Sequence, residues 1–235
     1  IHTSMLTLGR TLSLSSIRPM GKFQITDIAS LKVWLKFNTG QSTITDGIQW
    51  ADQSGNSNNA RQTIDAQEGS GFSSGSWSTD AGSQDNLDLT SAVDATGVYH
   101  VFMVLDLSEQ SNETFISSVD NTSFMRFAQG GSDTSFRMKN GGTTANITLS
   151  EGFGTTKAIA EVTRNSSNVV RVLKNGASLG SATGEGTFEF EQVGTSSNSL
   201  TSAKISEVVI FSAALSTGDA ANVRNDIADR NSISL

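Results

Sequence analysis

Short apolar runs with a period of two recur along most of the chain, and they leave few folds open. LKVWLKF at 31–37 places Leu31, Val33, Leu35 and Phe37 on one side, the pattern of a half-buried strand. VYHVFMVLDL at 98–107 is apolar almost throughout, as a central strand covered on both faces must be. Further runs follow at 113–119, 123–129, 135–140, 145–150, 157–163, 168–174, 177–183, 187–193 and 204–211. Gly, Asn, Asp and Ser clusters break them. Asn175-Gly176 separates two runs by a two-residue type I′ turn, whose central positions both need φ > 0. About a dozen strands at this spacing predict an all-β sandwich or jelly roll of two antiparallel sheets.

One helix is expected near the C-terminus. Ser216 and Asp219 form an N-cap signal, and Ala220, Val223 and Ile227 then share a face. Arg224 and Arg230 fall toward its C-terminal half, where cations suit the macrodipole. The closing ISL reads as an edge strand. The Ser- and Gly-rich stretch at 68–84 reads as a long surface loop anchored by Phe72 and Trp77.

Charge and rare residues exclude several classes. There is no Cys and there are two His, His2 and His100. Disulfides, thiol catalysis and multi-histidine metal sites are out. A net charge of -7 argues against nucleic acid and anionic membranes as partners. The charge is uneven. Residues 1–24 carry Arg10, Arg18 and Lys22 and no acid, while the rest carries 13 bases and 23 acids. Residues 1–27 are therefore read as an extended basic arm and 28–235 as the domain. The start has no continuous apolar run of a Sec signal; its Arg- and Ser-rich composition resembles a transit peptide, but a pinned contact arm is the expectation.

Three segments together resemble the concanavalin A-like, laminin G-like jelly-roll family. Trp50-x-Asp52-x-Ser54-Gly55-Asn56-x-Asn58-Asn59-Ala60 is similar to the family's early W-x-D-x-S-G-N-x-N-x-A segment. VVRVLKNGASLG at 169–180 resembles its hairpin, here with Asn175 and Gly176. Gly194 followed by KISEVVIFSAALST at 204–217 and a helix resembles its closing segment. The resemblance covers roughly 28–235 and implies a concanavalin A-like sandwich. Physically these residues read as structural. Trp50 suits a core, Asp52, Ser54, Asn56 and Asn58 form turns, and Gly55 permits positive φ. Glu207, inside an apolar strand, must accept hydrogen bonds from backbone or from Arg or Lys. Some relatives bind calcium at a loop rim, and Asp46, Asp52 and Asn56 are the oxygen ligands on offer. No two carboxylates sit at a specifying spacing, so no cofactor is expected.

Catalysis has no visible carrier. Glucanases of the same superfold use E-x-D-x-x-E, whereas Glu189-Phe190-Glu191-Gln192-Val193 lacks the third carboxylate and reads as a solvated strand face. His100 reads as a satisfied core or interface residue. GFGTTK at 152–157 lacks phosphate-loop spacing. The sequons at Asn112, Asn121, Asn146 and Asn165 are what such a composition supplies by chance.

Two functions follow as expectations. A jelly roll without Cys behind a basic arm resembles the structural proteins of tailed phages. It would then be a non-enzymatic capsid decoration, cement or appendage protein on the virion surface. Its arm would contact the capsid shell or neighbouring subunits, in a homo-oligomer or larger assembly. The alternative is a free-standing carbohydrate-binding module. Its best cluster is Phe72, Trp77, Asp80, Asp85 and Asn86, an aromatic platform with polar neighbours for a host-surface glycan.

Overall fold

The computed structural model describes residues 23–64, 67–79, 84–107, 111–194 and 203–235. The chain forms β1 (Leu31–Leu35), β2 (Gln41–Ile44), β3 (Gly47–Trp50), β4 (Ala60–Gln62), β5 (Gly71–Ser73) and β6 (Ser76–Ser78). It continues with β7 (Asn86–Ala95), β8 (Tyr99–Leu107), β9 (Glu113–Ser117), β10 (Phe124–Phe127), β11 (Ser135–Asn140) and β12 (Thr143–Thr148). The last elements are β13 (Ala158–Arg164), β14 (Val169–Lys174), β15 (Ala177–Thr183), β16 (Phe188–Gly194), β17 (Ala203–Phe211) and the helix α1 (Thr217–Asn231).

Two antiparallel sheets face each other. One runs β15-β14-β13-β8-β17-β6-β5, with β1 beside the second half of β17. The other runs β12-β11-β10-β9-β16-β7-β4-β3-β2. The chain passes from sheet to sheet between β7, β8 and β9, which gives the jelly-roll sandwich expected from the spacing of the runs.

The first sheet is covered on both faces, and β8 shows why its sequence is continuously apolar. Val101, Met103 and Leu105 point into the core between the sheets, while Phe102 and Val104 join a second cluster with α1. β17 divides likewise, with Val208 and Ile210 inward and Val209 and Phe211 outward. Ser216 caps α1 by accepting the Asp219 N–H at 3.1 Å. The buried stripe of α1 is Ala220, Val223, Ile227 and Ala228, as its period predicts.

Three expectations need correction. Residues 71–78 are not loop: β5 and β6 form a hairpin on the end of the first sheet, with Phe72 opposite Trp77. The closing ISL forms no strand. Ile25 is buried and Phe23 and Ile28 pack on the cluster under α1, so the tail of the supposed arm belongs to the body. Arg10, Arg18 and Lys22 lie outside the described residues.

Candidate functional site

The motif residues build structure. Trp50 is fully buried and its indole N–H donates to the carbonyls of Lys36 and Thr39. The Asp52 carboxylate accepts from the amides of Trp34, Ser54 and Asn58 and from the Ser54 hydroxyl. Asn59 in turn accepts the Asp52 N–H. Gly55 takes φ +89, the conformation expected of it. The Asn56 amide donates to the carbonyls of Leu31 and Lys32. The Asp52 carboxylate thus spends both oxygens on the loop and on β1, the Asn56 NH₂ is held by β1, and Asp46 lies in the β2–β3 turn. Among the described residues no group of three or more His, Cys, Asp or Glu is placed to hold a metal. The calcium set is therefore not assembled.

Of the proposed sugar platform, Trp77, Asp85 and Asn86 are enclosed and Phe72 is half-buried. Trp77 is fully buried and donates its indole N–H to the Glu68 carbonyl at 2.8 Å. Asp85 and Asn86 are also buried, with the Asn86 amide on Asp88. Phe72 packs edge-on to Trp50. A ring enclosed by protein has no face left for a sugar. Asp80 lies outside the described residues.

The structure instead opens a groove of about 430 Å³ between α1 and the outer face of β13 and β14. Its floor is set by register. His100 of β8 stands opposite Thr163 of β13, and Thr163 opposite Arg171 of β14. At ~4.8 Å per strand, the backbone positions of His100 and Arg171 stand about 10 Å apart in this row, with Thr163 between them. Leu173 and Val169 add apolar floor, and Ala220, Ala221 and Leu215 form the wall toward α1.

A buried ionic cluster holds the wall to the floor. His100 Nε2 lies 2.7 Å from Glu161 Oε1. Arg224, from α1, donates through Nε at 2.9 Å and Nη2 at 2.8 Å to Glu161 Oε2. Glu161 is 2% exposed and His100 4%. The His100 ring stacks on Phe102, with 4.5 Å between centroids. With Nε2 on a carboxylate, the other nitrogen, Nδ1, has no hydrogen-bond partner among the described residues although it is buried. Gly176 closes the end of the groove. A Cβ there would meet the Arg224 guanidinium at 2.8 Å, so the Asn-Gly turn serves two ends, positive φ and room for Arg224.

A carboxylate-held imidazole suggests a base, yet the cluster lacks a nucleophile. The Thr163 hydroxyl donates to the Tyr99 carbonyl, and no hydroxyl among the described residues bonds His100 Nδ1. The groove is equipped to bind. Arg171 is exposed and has no ion pair among the described residues. Asn165 turns its oxygen to the Ser167 and Val169 amides, which leaves its NH₂ for the groove.

Sequence reasoning assigned none of these residues to a site. It placed His100 in a core or interface and Arg224 on the helix dipole. One available signal was Glu161 inside the apolar run KAIAEVT, which demands a partner from elsewhere in the fold.

No protein-family model matches the chain, and no curated protein matches it in sequence. Solved structures do match. Botulinum neurotoxin type C, whose passage into cells is dependent upon interaction with two ganglioside molecules, is 16% identical with a TM-score of 0.58, over 86% of this chain and 52% of that one. The binding domain of botulinum neurotoxin DC, in complex with rat synaptotagmin II, is 16% identical with a TM-score of 0.57, over 87% and 52%. Trypanosoma rangeli sialidase in complex with sialic acid is 10% identical with a TM-score of 0.57, over 88% and 34%. The chain thus spans about half the toxin chains and a third of the sialidase. At these identities the likeness is one of fold: an all-β sandwich also found in toxin binding domains and in a sialidase.

Proposed function

We propose that this chain is a non-enzymatic recognition domain that binds carbohydrate in the groove beneath α1. The observation that carries the reading is the groove itself, about 430 Å³ and lined by polar groups with unused hydrogen-bonding capacity. Thr163, Asn165 and Arg171 would face hydroxyls of a sugar ring, and Leu173, Ala220 and Ala221 its C–H face. The shared sandwich of the ganglioside-dependent toxin supports the same class. The concanavalin A-like resemblance of the Trp50 and Gly194 segments agrees with it.

A glycan array probed with the full chain tests this. Binding is expected, and Thr163→Val with Ala221→Trp, which fills the groove, is expected to abolish it. An array without any bound glycan, or binding indifferent to the filled groove, overturns the proposal. The virion role rests on the sequence alone. On a particle, such a domain would serve adsorption, and mass spectrometry of purified particles is its test.

A further inference from the structure

We infer that the groove selects an acidic sugar, one whose carboxylate is held at the end of the floor where Arg171 stands. This rests on the carbohydrate reading above and narrows it to a ligand class.

Charge makes the first argument. The chain carries a net -7, yet the groove is lined by two arginines, Arg171 and Arg224, against one carboxylate, Glu161. Glu161 is already taken by Arg224 and His100, so it offers a ligand little negative field. Arg171 retains its whole donor fork among the described residues. Arg224 spends two of its five N–H groups on Glu161, and its side chain remains 17% exposed. A guanidinium with free donors matches a carboxylate in bidentate geometry.

Hydrogen bonding makes the second. His100 is nine-tenths buried and its Nδ1 is without a partner among the described residues, which costs free energy unless a ligand group or water meets it. His100 lines the groove at the other end of the His100–Thr163–Arg171 row. The ~10 Å between the backbone positions at the row ends spans about one pyranose ring with an exocyclic carboxylate. His100 Nδ1, left as the acceptor when Nε2 donates to Glu161, would meet a ring hydroxyl, and Thr163 would accept from a second hydroxyl between.

The third argument is what the lining lacks. Among the described residues no Trp, Tyr or Phe lines the groove, so stacking on an aromatic face is not how a sugar would be held. Polar and charged recognition has to supply the selectivity, and the charge on offer is positive.

The test compares D-glucuronate, D-glucose and inorganic phosphate by titration calorimetry on the full chain and on Arg171→Gln. Arg171 is exposed, so its loss leaves the fold intact. Glucuronate is expected to bind at least tenfold more tightly than glucose. Arg171→Gln is expected to remove that preference. Equal affinity for the two sugars, or a preference that survives Arg171→Gln, overturns the acidic class and leaves the carbohydrate reading standing. Phosphate binding with both sugars silent overturns it in favour of a bare anion site. An array on which no glycan of either class binds overturns both readings together.

Discussion

Two carboxylates lie buried beneath α1, and each is met by an arginine of that helix. Glu207 is 0% exposed and accepts from the Trp34 indole at 2.8 Å, from Arg230 Nη2 at 2.7 Å and from the Asn231 amide at 2.7 Å. Burial alone would lower the Arg230 pKa, but Glu207 and Asp226 outweigh it and the net shift is upward. Arg230 also lies over the Trp34 ring, 5.2 Å from its centroid. Removing one partner of such a pair is worse than never having made it, because the other charge stays buried. Glu207→Gln is therefore expected to destabilise the fold by about 3 kcal/mol, read from the urea midpoint. A change under about 0.5 kcal/mol would show the pair to be surface-like. That Glu207 needs donors was legible in its apolar strand. Which donors was not, since Trp34 lies 173 residues away.

Strands and hairpins differ in how much they reveal. β8 and β17 were legible because two-sided burial leaves a continuous apolar run. β7 was not, since its pattern NLDLTSAVDA is diluted by polar residues on the solvated face. The β5–β6 hairpin hid behind Ser and Gly, and it exists because Trp77 packs into the core and β6 pairs with β17. β16 shows alternation clearly, with Phe188 and Phe190 inward and Glu189 turned out. Glu189 stands directly opposite Asp94 in the register. Partial desolvation, followed by repulsion from Glu191, Asp94 and Asp120, holds its carboxyl above the usual range. A carboxyl raised on folding favours the native state in its protonated form. That contribution is present below the ordinary carboxylate pKa and is lost as pH rises through the raised value. At neutral pH the charge of Glu189 is thus a cost. Glu189→Gln is expected to raise the melting temperature at about pH 7 and to leave it unchanged near pH 3. A gain of equal size at both pH values would contradict the electrostatic cause.

For the whole molecule, α1 is the third layer of the sandwich. It covers Trp34, Phe102, Val104, Ile159, Val209 and Phe211, and Val223 and Ile227 contribute about 1.5–3 kcal/mol each by burial. It also supplies Arg224 and Arg230 to the two buried carboxylates. Ending the chain before Ser216 is expected to abolish soluble, monodisperse protein, because it bares an apolar sheet face and orphans both carboxylates. Gel filtration checks this, and a monomer with native-like circular dichroism would show α1 to be dispensable. The sequence by itself determined the all-β class, the two-sided strand β8, the Asn175-Gly176 turn, the Trp50–Asn59 loop and the stripe of α1. Each depends on neighbours a few residues apart, through strand period, helix period or turn chemistry. Only the tertiary structure decided that Trp77 is core and that His100, Glu161, Arg171 and Arg224 form one groove. His100 and Glu161 are 61 residues apart and Arg224 lies 63 beyond Glu161. What brings them together is the pairing register of β8 with β13 and the seating of α1. Both are set by how the whole core packs, a property no local stretch of sequence carries.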